Sequence, residues 1–271
     1  MKDKVSTVMG RFGRLSAGTF SRSVNSHSFR EPSALFHLGG AELNMTIGDR
    51  VLPFRAGEML LIEPWTPHAR SLLSNESSKL VNLLIEPSWL DPGANGDPGF
   101  DFRFRQQLAS IEPDMREQLD VLSALMFDQP MARLETIQTK IEQLIELIHV
   151  RYSIRHHGRR RSSIDSRVQQ AFESLRSSAI QGIKIESLAA GSGMSRSHFF
   201  RQFKRSIGVS PQHVIDQERI AYALKALGSS SVMLSKLSAE LGFSAPAHFT
   251  RFFVQHLGCT PSQFRRSLLV L

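Results

Sequence analysis

Residues 188–212 read LAAGSGMSRSHFFRQFKRSIGVSPQ, and residues 237–263 read LSAELGFSAPAHFTRFFVQHLGCTPSQ. The second stretch repeats the first about 50 residues later, with one extra residue before its His-Phe pair. Both copies keep a Gly followed by a large apolar residue and Ser, then His-Phe-x-Arg-x-Phe, and then a Gly shortly before a Ser/Thr-Pro step. The shared order predicts two copies of one structural unit.

Each copy has the features of a helix-turn-helix. A short helix carrying Ala189 should end near Gly193, because glycine adopts the positive φ that a tight turn requires. Met194 is expected to fill the angle between the helices, and Ser195 to cap the second helix. Ser244 is expected to be the cap of the second copy.

The second helix of the first copy separates an apolar face from a basic one. Phe199 and Phe203 are four residues apart and should face the core. We expect Arg201 to pair with a guanine edge, Lys204 and Arg205 to neutralise phosphates, and an exposed Phe200 to press on a thymine methyl group. The predicted DNA contacts of this copy are Arg196, Ser197, Phe200, Arg201, Lys204 and Arg205.

Charge is divided unevenly along the chain. Residues 1–150 hold 15 Lys+Arg and 19 Asp+Glu, whereas residues 151–271 hold 18 and 6. The C-terminal part therefore favours a polyanionic partner. An ordinary surface helix with solvated arginines is the alternative for a single copy, but two copies in the most basic part of the chain favour double-stranded DNA.

A helix predicted from Pro211 to about Leu227 separates the two copies and would span roughly 25 Å. A rod of that length can hold two recognition helices about one DNA turn apart. Helices at about 166–177 and 261–269 are expected to flank the units.

These residues resemble the AraC/XylS family of bacterial transcription regulators over about 166–269, including GMSRSHFFRQFKRSIGVSP, ERIAYALKAL and GFSAPAHFTRFFVQHLGCTPSQFR. The resemblance implies seven helices, two of them in adjacent major-groove segments, and activation of nearby promoters with RNA polymerase as a partner. The second unit departs from the family pattern, since Ala245, Pro246 and Ala247 stand where relatives have polar residues. Its expected DNA contacts are Ala247, Thr250 and Arg251, and the first unit should carry most base specificity.

The N-terminal part alternates short β-prone segments with turn residues. Residues 54–68, FRAGEMLLIEPWTPH, resemble the cupin-like sensor domain of the same family, which implies a small β-barrel that binds a sugar or an organic acid. The predicted effector-binding residues are His37, Trp65, His68 and Arg70.

Two other functions remain open for this part of the chain. A metal-dependent cupin enzyme would need several convergent His and carboxylate ligands, and the region has no HxH pair. We therefore predict no enzyme, no catalytic residue, no cofactor and no metal site. The other possibility is a constitutive DNA-binding architectural protein without an effector.

An apolar seam at spacings of three and four residues predicts a helix that needs a partner. The seam indicates a homodimer interface, and the alternative is a helix that packs on its own domain. Its members are Leu134, Ile137, Ile141, Leu144 and Ile148.

The expected fold is α+β multidomain, with an N-terminal cupin-like β-barrel and helices and a C-terminal all-α domain. The single cysteine, Cys259, excludes an internal disulfide, and no stretch has the pattern of a signal peptide or membrane span, so a cytoplasmic location without a membrane partner is expected. The predicted segments are a tail at 1–19, the sensor at 20–110, a helical dimerisation segment at 111–157, a linker at 158–165 and the DNA-binding domain at 166–271.

Overall fold

The computed structural model describes residues 4–90, 102–128, 133–154, 164–180, 182–229 and 232–270. Most of the predicted linker, 158–165, and the Arg159–Arg161 run within it lie outside these residues. The described part has a β-rich N-terminal domain with two helices and an all-α C-terminal domain with two helix-turn-helix units, as the sequence predicts.

A seven-stranded sheet forms the centre of the N-terminal domain, in the order β11-β7-β4-β9-β2-β1-β13. All of its pairs are antiparallel except the parallel pair of β1 and β13. Its strands are β1 (Val5–Gly10), β2 (Gly13–Phe20), β4 (Ser33–Gly40), β7 (Glu58–Ile62), β9 (Ser78–Ile85), β11 (Leu108–Ser110) and β13 (Leu268–Val270).

A four-stranded sheet, in the order β3-β8-β5-β6, faces the larger sheet. Leu43, Met45 and Phe54 from this sheet pack with Leu60 and Leu80 from the larger one. The strands of the small sheet are β3 (Val24–His27), β5 (Leu43–Ile47), β6 (Arg50–Phe54) and β8 (His68–Leu72), and a separate two-stranded ladder joins β10 (Arg103–Phe104) to β12 (Ser153–Ile154).

Two helices, α1 (Pro113–Phe127) and α2 (Leu134–Tyr152), cover the other face of the seven-stranded sheet. Ile137, Ile141, Leu144 and Ile148 of α2 are each 0% exposed in this core. The prediction that these side chains form a dimer seam is therefore wrong. The seam fills the space between α2, α1 and the sheet, which is the alternative left open above, and only Leu134 at its start is partly exposed.

The segment predicted as a tail, 1–19, instead contains the strands β1 and β2 of the main sheet. Val8 and Leu15 are fully buried. The segment is rich in Ser and Gly because its backbone is closely packed: a Cβ at Gly18 would lie 2.2 Å from the Lys4 carbonyl oxygen. The small residues therefore serve strand packing rather than flexibility.

The C-terminal domain is built around a 19-residue helix, α6 (Pro211–Ser229), which is about 28 Å long. Val214 and Ile215 near its start belong to the core of the first helix-turn-helix unit, whereas Ile220 and Leu224 belong to the core of the second. The remaining helices are α3 (Ser166–Ser178), α4 (Ile185–Gly191), α5 (Arg196–Ile207), α7 (Leu234–Glu240), α8 (Pro246–Leu257) and α9 (Pro261–Ser267).

The last predicted helix ends earlier than expected. Helix α9 stops at Ser267, and Leu268–Val270 form β13, which pairs with Thr7–Met9 of β1. The edge of β1 carries backbone hydrogen-bonding groups that pair with those of β13. The C-terminal domain is thus joined to the N-terminal sheet by a strand.

Candidate DNA interface and interdomain cavity

The turn of the first helix-turn-helix unit joins α4 to α5. Gly193 has a φ of 64°, and the neighbouring Met194 is buried against the core of the unit. Ser195 caps α5, because its side-chain oxygen accepts the backbone N–H of His198 at 3.3 Å. These three features match the predicted turn.

Helix α5 buries Phe199 and Phe203 completely and exposes the opposite face. In the part of the chain that the structure describes, Arg201, Lys204 and Arg205 form no ion pair. Their charges are therefore available to a nucleic acid. The predicted contacts of this helix that are exposed are Arg196, Ser197, Arg201, Lys204 and Arg205.

Phe200 is half-buried and packs against the core of the first unit, so the prediction of an exposed ring is wrong. The guanidinium of Arg196 lies 5.5 Å from the centre of this ring and covers it. Arg196 also forms an ion pair with Glu186 at 3.2 Å. At this end of α5 the surface therefore presents Arg196 rather than an open apolar ring.

The second unit has the same core but a different start to its recognition helix, α8. Phe249 and Phe253 are fully buried, and Gly242 has a φ of 77° in the turn. Ser244 does not cap α8 as predicted. The extra residue of this copy places Ala245 at the cap, without a side-chain hydrogen bond, and the Ser244 hydroxyl lies 2.9 Å from Nδ1 of His248.

The expected DNA contacts of α8 are fewer and smaller than those of α5. Ala247 and Arg251 are exposed, and Thr250 is half-buried. Among the described residues Arg251 forms no ion pair. These three positions thus offer one cation and one partly buried hydroxyl.

A cavity of about 470 Å³ lies between the two domains. Five basic residues line it and, among the described lining residues, no acidic one: Lys4, Arg14, Arg22, Arg70 and Arg266. The apolar part of the lining comes from Val5, Phe20, Val24, Phe29, Leu35, Met45, Ile62, Leu80, Leu257 and Phe264. The N-terminal strands and helices α8 and α9 therefore share one positively charged site.

Arg14 is the most buried cation of this cavity, with 6% of its surface exposed. Burial lowers its pKa, and the nearby Glu31 acts in the opposite direction. The guanidinium lies 5.5 Å from the centre of the Phe29 ring but forms no ion pair among the described residues. A buried charge that forms no ion pair is costly, so the cavity is suited to an anion.

Histidines from both domains meet beside the cavity. His27 and His68 are paired across β3 and β8, with ring centres 4.3 Å apart. His256 from α8 lines the same cavity, and Nε2 of His213 from α6 lies 2.6 Å from the Ser28 hydroxyl. Burial is the main cause that lowers the pKa of His27, of His213 and of His68, in the last case to about 4.

The structure brings together two of the four predicted effector-binding residues. His68 and Arg70 line the cavity, while His37 and Trp65 are not among its lining residues. The prediction for His37 is wrong because the Phe54 ring fills the space beside it, 5.4 Å away, and Nδ1 of His37 lies 3.1 Å from the Phe54 carbonyl oxygen.

Trp65 belongs to the contact between the domains rather than to the cavity. Its ring lies 5.7 Å from that of Phe172, at the core of the first helix-turn-helix unit. Its φ of 60° is in the left-handed region, and its N–H donates to the Phe29 carbonyl at 2.7 Å. The turn therefore directs the indole outward onto α3.

Sequence reasoning missed Arg14, His27 and His256. They lie far apart in the chain: Arg14 is in the segment predicted as a tail, His27 is in the short strand β3, and His256 is near the end of α8. No local motif joins them, and only the packing of α8 and α9 on the N-terminal strands brings them together.

No helix within the described ranges is long and apolar enough to cross a membrane. Nor do three His, Cys, Asp or Glu side chains converge as metal ligands within those ranges.

The whole fold resembles that of a protein of known structure, ToxT. The crystal structure of unsaturated fatty acid bound ToxT from Vibrio cholerae matches with a TM-score of 0.55 at 13% identity, over 98% of this chain and 95% of that chain. At this identity the match establishes the two-domain fold alone.

The sequence matches extend the comparison to function. Residues 188–267 match a helix-turn-helix domain family. The virulence regulon transcriptional activator VirF of Yersinia enterocolitica is 29% identical over 58% of this chain, and the chain spans only 58% of VirF's length. The probable transcription factor PqrA of Proteus vulgaris is 34% identical over 32% of this chain and 71% of its own length. These matches and the two helix-turn-helix units show that the chain belongs to the AraC family of transcription regulators.

Proposed function

We propose that this chain is an effector-responsive activator of transcription, in which an organic anion bound between the domains controls how the two helix-turn-helix units meet DNA. The buried guanidinium of Arg14, which forms no ion pair with any described residue, is the observation that carries the proposal. A ligand carboxylate beside Arg14 would form an ion pair with it through charge-assisted hydrogen bonds.

The rest of the cavity indicates the form of the effector. Its wall combines the basic residues with a larger apolar surface, which suits a molecule with one acidic end and a hydrocarbon body. Of the sugar or organic acid predicted from the sequence, the organic acid fits this wall better. ToxT, which shares the fold, was crystallised with an unsaturated fatty acid. In this chain, the basic and apolar residues that line the cavity support an organic acid.

The position of the cavity provides a route from effector to DNA. Lys4 and Thr7 of β1 form one wall, and Phe264 and Arg266 of α9 form another. A ligand that fills this space changes the free energy of the contact between β1 and the second unit. It shifts the population of domain arrangements according to its relative affinity for each.

On the DNA, the first unit supplies most base recognition, and the second mainly holds the backbone and responds to DNA shape. Arg201, Lys204 and Arg205 on α5 are exposed and form no ion pair with a described residue, whereas α8 exposes the single Lys or Arg side chain Arg251, and this difference supports the division. VirF is named as an activator, which supports activation here and RNA polymerase as a partner.

A homodimer also remains part of the proposal. Its interface cannot use Ile137, Ile141, Leu144 and Ile148, which are buried in the chain's own core. Sedimentation of the full chain with and without its DNA site tests the dimer, and a single monomeric species under both conditions would contradict it.

The effector proposal is tested by Arg14→Gln, with Lys79→Gln as the matched control, since Lys79 is exposed and lies outside the lining of the cavity. DNA affinity of each protein is measured with and without decanoate, a simple amphiphilic acid. Decanoate should change the affinity of the wild type and of the control, but not of the Arg14 variant. An equal response of the Arg14 variant, or no response of the wild type to any organic acid, would contradict the proposal.

A further inference from the structure

Three polar groups gather at one end of the interdomain cavity, around the ring of Phe29. The His27 and His68 rings lie 5.0 and 5.6 Å from it, and the Arg14 guanidinium lies 5.5 Å from it. All four residues line the cavity. A ligand carboxylate held by Arg14 therefore has the two imidazoles within a few atoms of its acidic end.

The local hydrogen bonds fix which nitrogen of each imidazole carries hydrogen. Nδ1 of His27 lies 2.8 Å from the Asn25 carbonyl oxygen, and Nδ1 of His68 lies 2.9 Å from the Thr66 carbonyl oxygen. A carbonyl oxygen only accepts, so each Nδ1 is the donor. In a neutral ring this leaves Nε2 without hydrogen, as an acceptor.

The surroundings keep both rings neutral near pH 7. Burial lowers the pKa of His27 and of His68. The charges of His68, His256 and Arg70, in decreasing order, further lower the pKa of His27, and His213 on α6 further lowers that of His68, because like charges repel. The Arg14 cation and two neutral acceptors therefore lie around the Phe29 ring.

We propose that His27 and His68 select an effector that carries a hydroxyl group close to its carboxylate, such as a 2-hydroxy or 3-hydroxy acid. This inference rests on the proposed function, in which the cavity binds an organic anion. An unsubstituted carboxylate accepts hydrogen bonds but donates none, so it would leave both Nε2 atoms unsatisfied. A hydroxyl carries one hydrogen and can donate it to one of the two Nε2 atoms while Arg14 holds the acid. A site built around such acceptors discriminates against the analogue without the hydroxyl.

Titration calorimetry on the full chain tests this choice with decanoate, 2-hydroxydecanoate and 3-hydroxydecanoate at pH 7.5. One hydroxy acid should bind about tenfold or more tightly than decanoate, without net proton uptake across buffers of different ionisation enthalpy. Equal affinities would overturn the histidine assignment while the anion site stands. Uptake of a proton with decanoate would also overturn it, because the imidazoles would then act as cations. Binding of none of the acids would overturn the anion site and, with it, this inference.

Variants at His68 separate the role of the acceptor from that of shape. In His68→Phe the ratio of the affinities for the hydroxy acid and for decanoate should fall toward one. His68→Gln retains a hydrogen-bond acceptor and should keep part of the preference. His248→Phe, at an exposed position outside the lining, is the control and should keep the full preference. An unchanged preference in His68→Phe would contradict the proposal.

A measurement on the unaltered protein covers the case in which the variants do not fold. Nitrogen-detected correlation spectra of the imidazoles at pH 7.5 report which ring nitrogen carries hydrogen. Hydrogen on Nδ1 of both His27 and His68 is expected, and hydrogen on Nε2 of both would overturn the assignment.

Discussion

Leu268 and Leu269 are adjacent in the chain but pack into two different hydrophobic cores. Leu268 packs in the core of the second helix-turn-helix unit, and Leu269 packs against the core between the seven-stranded sheet, α1 and α2. Successive side chains of a strand point to opposite sides, so β13 holds both domains at once. The same strand lies directly after α9, which lines the cavity.

Loosening this strand should free the second unit from the N-terminal sheet. Leu269→Ala removes a half-buried side chain and should destabilise the β1–β13 pairing by about 1–2 kcal/mol. Amide hydrogen exchange at Thr7–Met9 should then be faster than in the wild type. Val270→Ala is the control, because Val270 is 53% exposed. Identical exchange in wild type and Leu269→Ala would show that β13 does not hold the domains together.

The two recognition helices should respond differently to loss of an arginine. Arg201→Ala should cost about 1–3 kcal/mol and relax base preference at one position, because Arg201 is assigned to a base edge. Arg251→Ala should weaken all sequences similarly and lower the salt dependence of binding, as loss of a phosphate contact does. Affinities for a panel of single-base variants of the site check both. Equal loss of base preference in the two variants would contradict the division of roles.

The contact of Trp65 with Phe172 should contribute to the stability of the whole chain. Trp65→Ala removes a half-buried ring from the core of the first unit and should lower the free energy of unfolding by about 2 kcal/mol. Trp89→Ala serves as control, since Trp89 is 37% exposed and lies outside the domain contact. Denaturant unfolding of both variants measures the difference. If Trp65→Ala lowered the free energy of unfolding no more than the control does, the contact of Trp65 with Phe172 would not stabilise the chain.

Acid should weaken the contact between the domains. The pKa of His68 falls from its ordinary 6.5 to about 4 because of burial, so the folded protein holds it neutral. Its contribution to stability is complete above pH 6.5 and is lost as the pH falls toward 4. From pH 7.5 to pH 5 the loss should be about 2 kcal/mol for this residue alone. The His68→Phe variant has no titratable group at this position. Between pH 7.5 and pH 5 its free energy of unfolding relative to the wild type should therefore rise by about 2 kcal/mol. The same difference at both pH values would contradict this.

The helix-turn-helix units could be predicted from the sequence because their determinants are local. Gly193, Ser195 and the pair Phe199 and Phe203 lie within one turn and one helix, and the repeat displays them twice. One inserted residue was enough to move the cap of α8 from Ser244 to Ala245.

The N-terminal strands, the packing of α2 and the cavity depend on contacts between segments that are distant in the sequence. Strands β1 and β2 have small polar residues, and their burial follows from pairing with β9 and β13 rather than from an apolar pattern. The seam of α2 specifies an apolar partner surface but does not distinguish a second chain from the chain's own sheet. The cavity combines β1, β3, β8 and α9, so neither Arg14 nor His27 could be assigned before the domains were seen together.

The central claim is that α5 and α8 enter neighbouring major grooves of one duplex. Selection of binding sites from randomised double-stranded DNA by the full chain, followed by sequencing, tests it most directly. We predict one enriched motif with two blocks whose centres lie about 10 base pairs apart, the block bound by α5 carrying more information. Recovery of no motif, or of two blocks with equal information, would contradict the account.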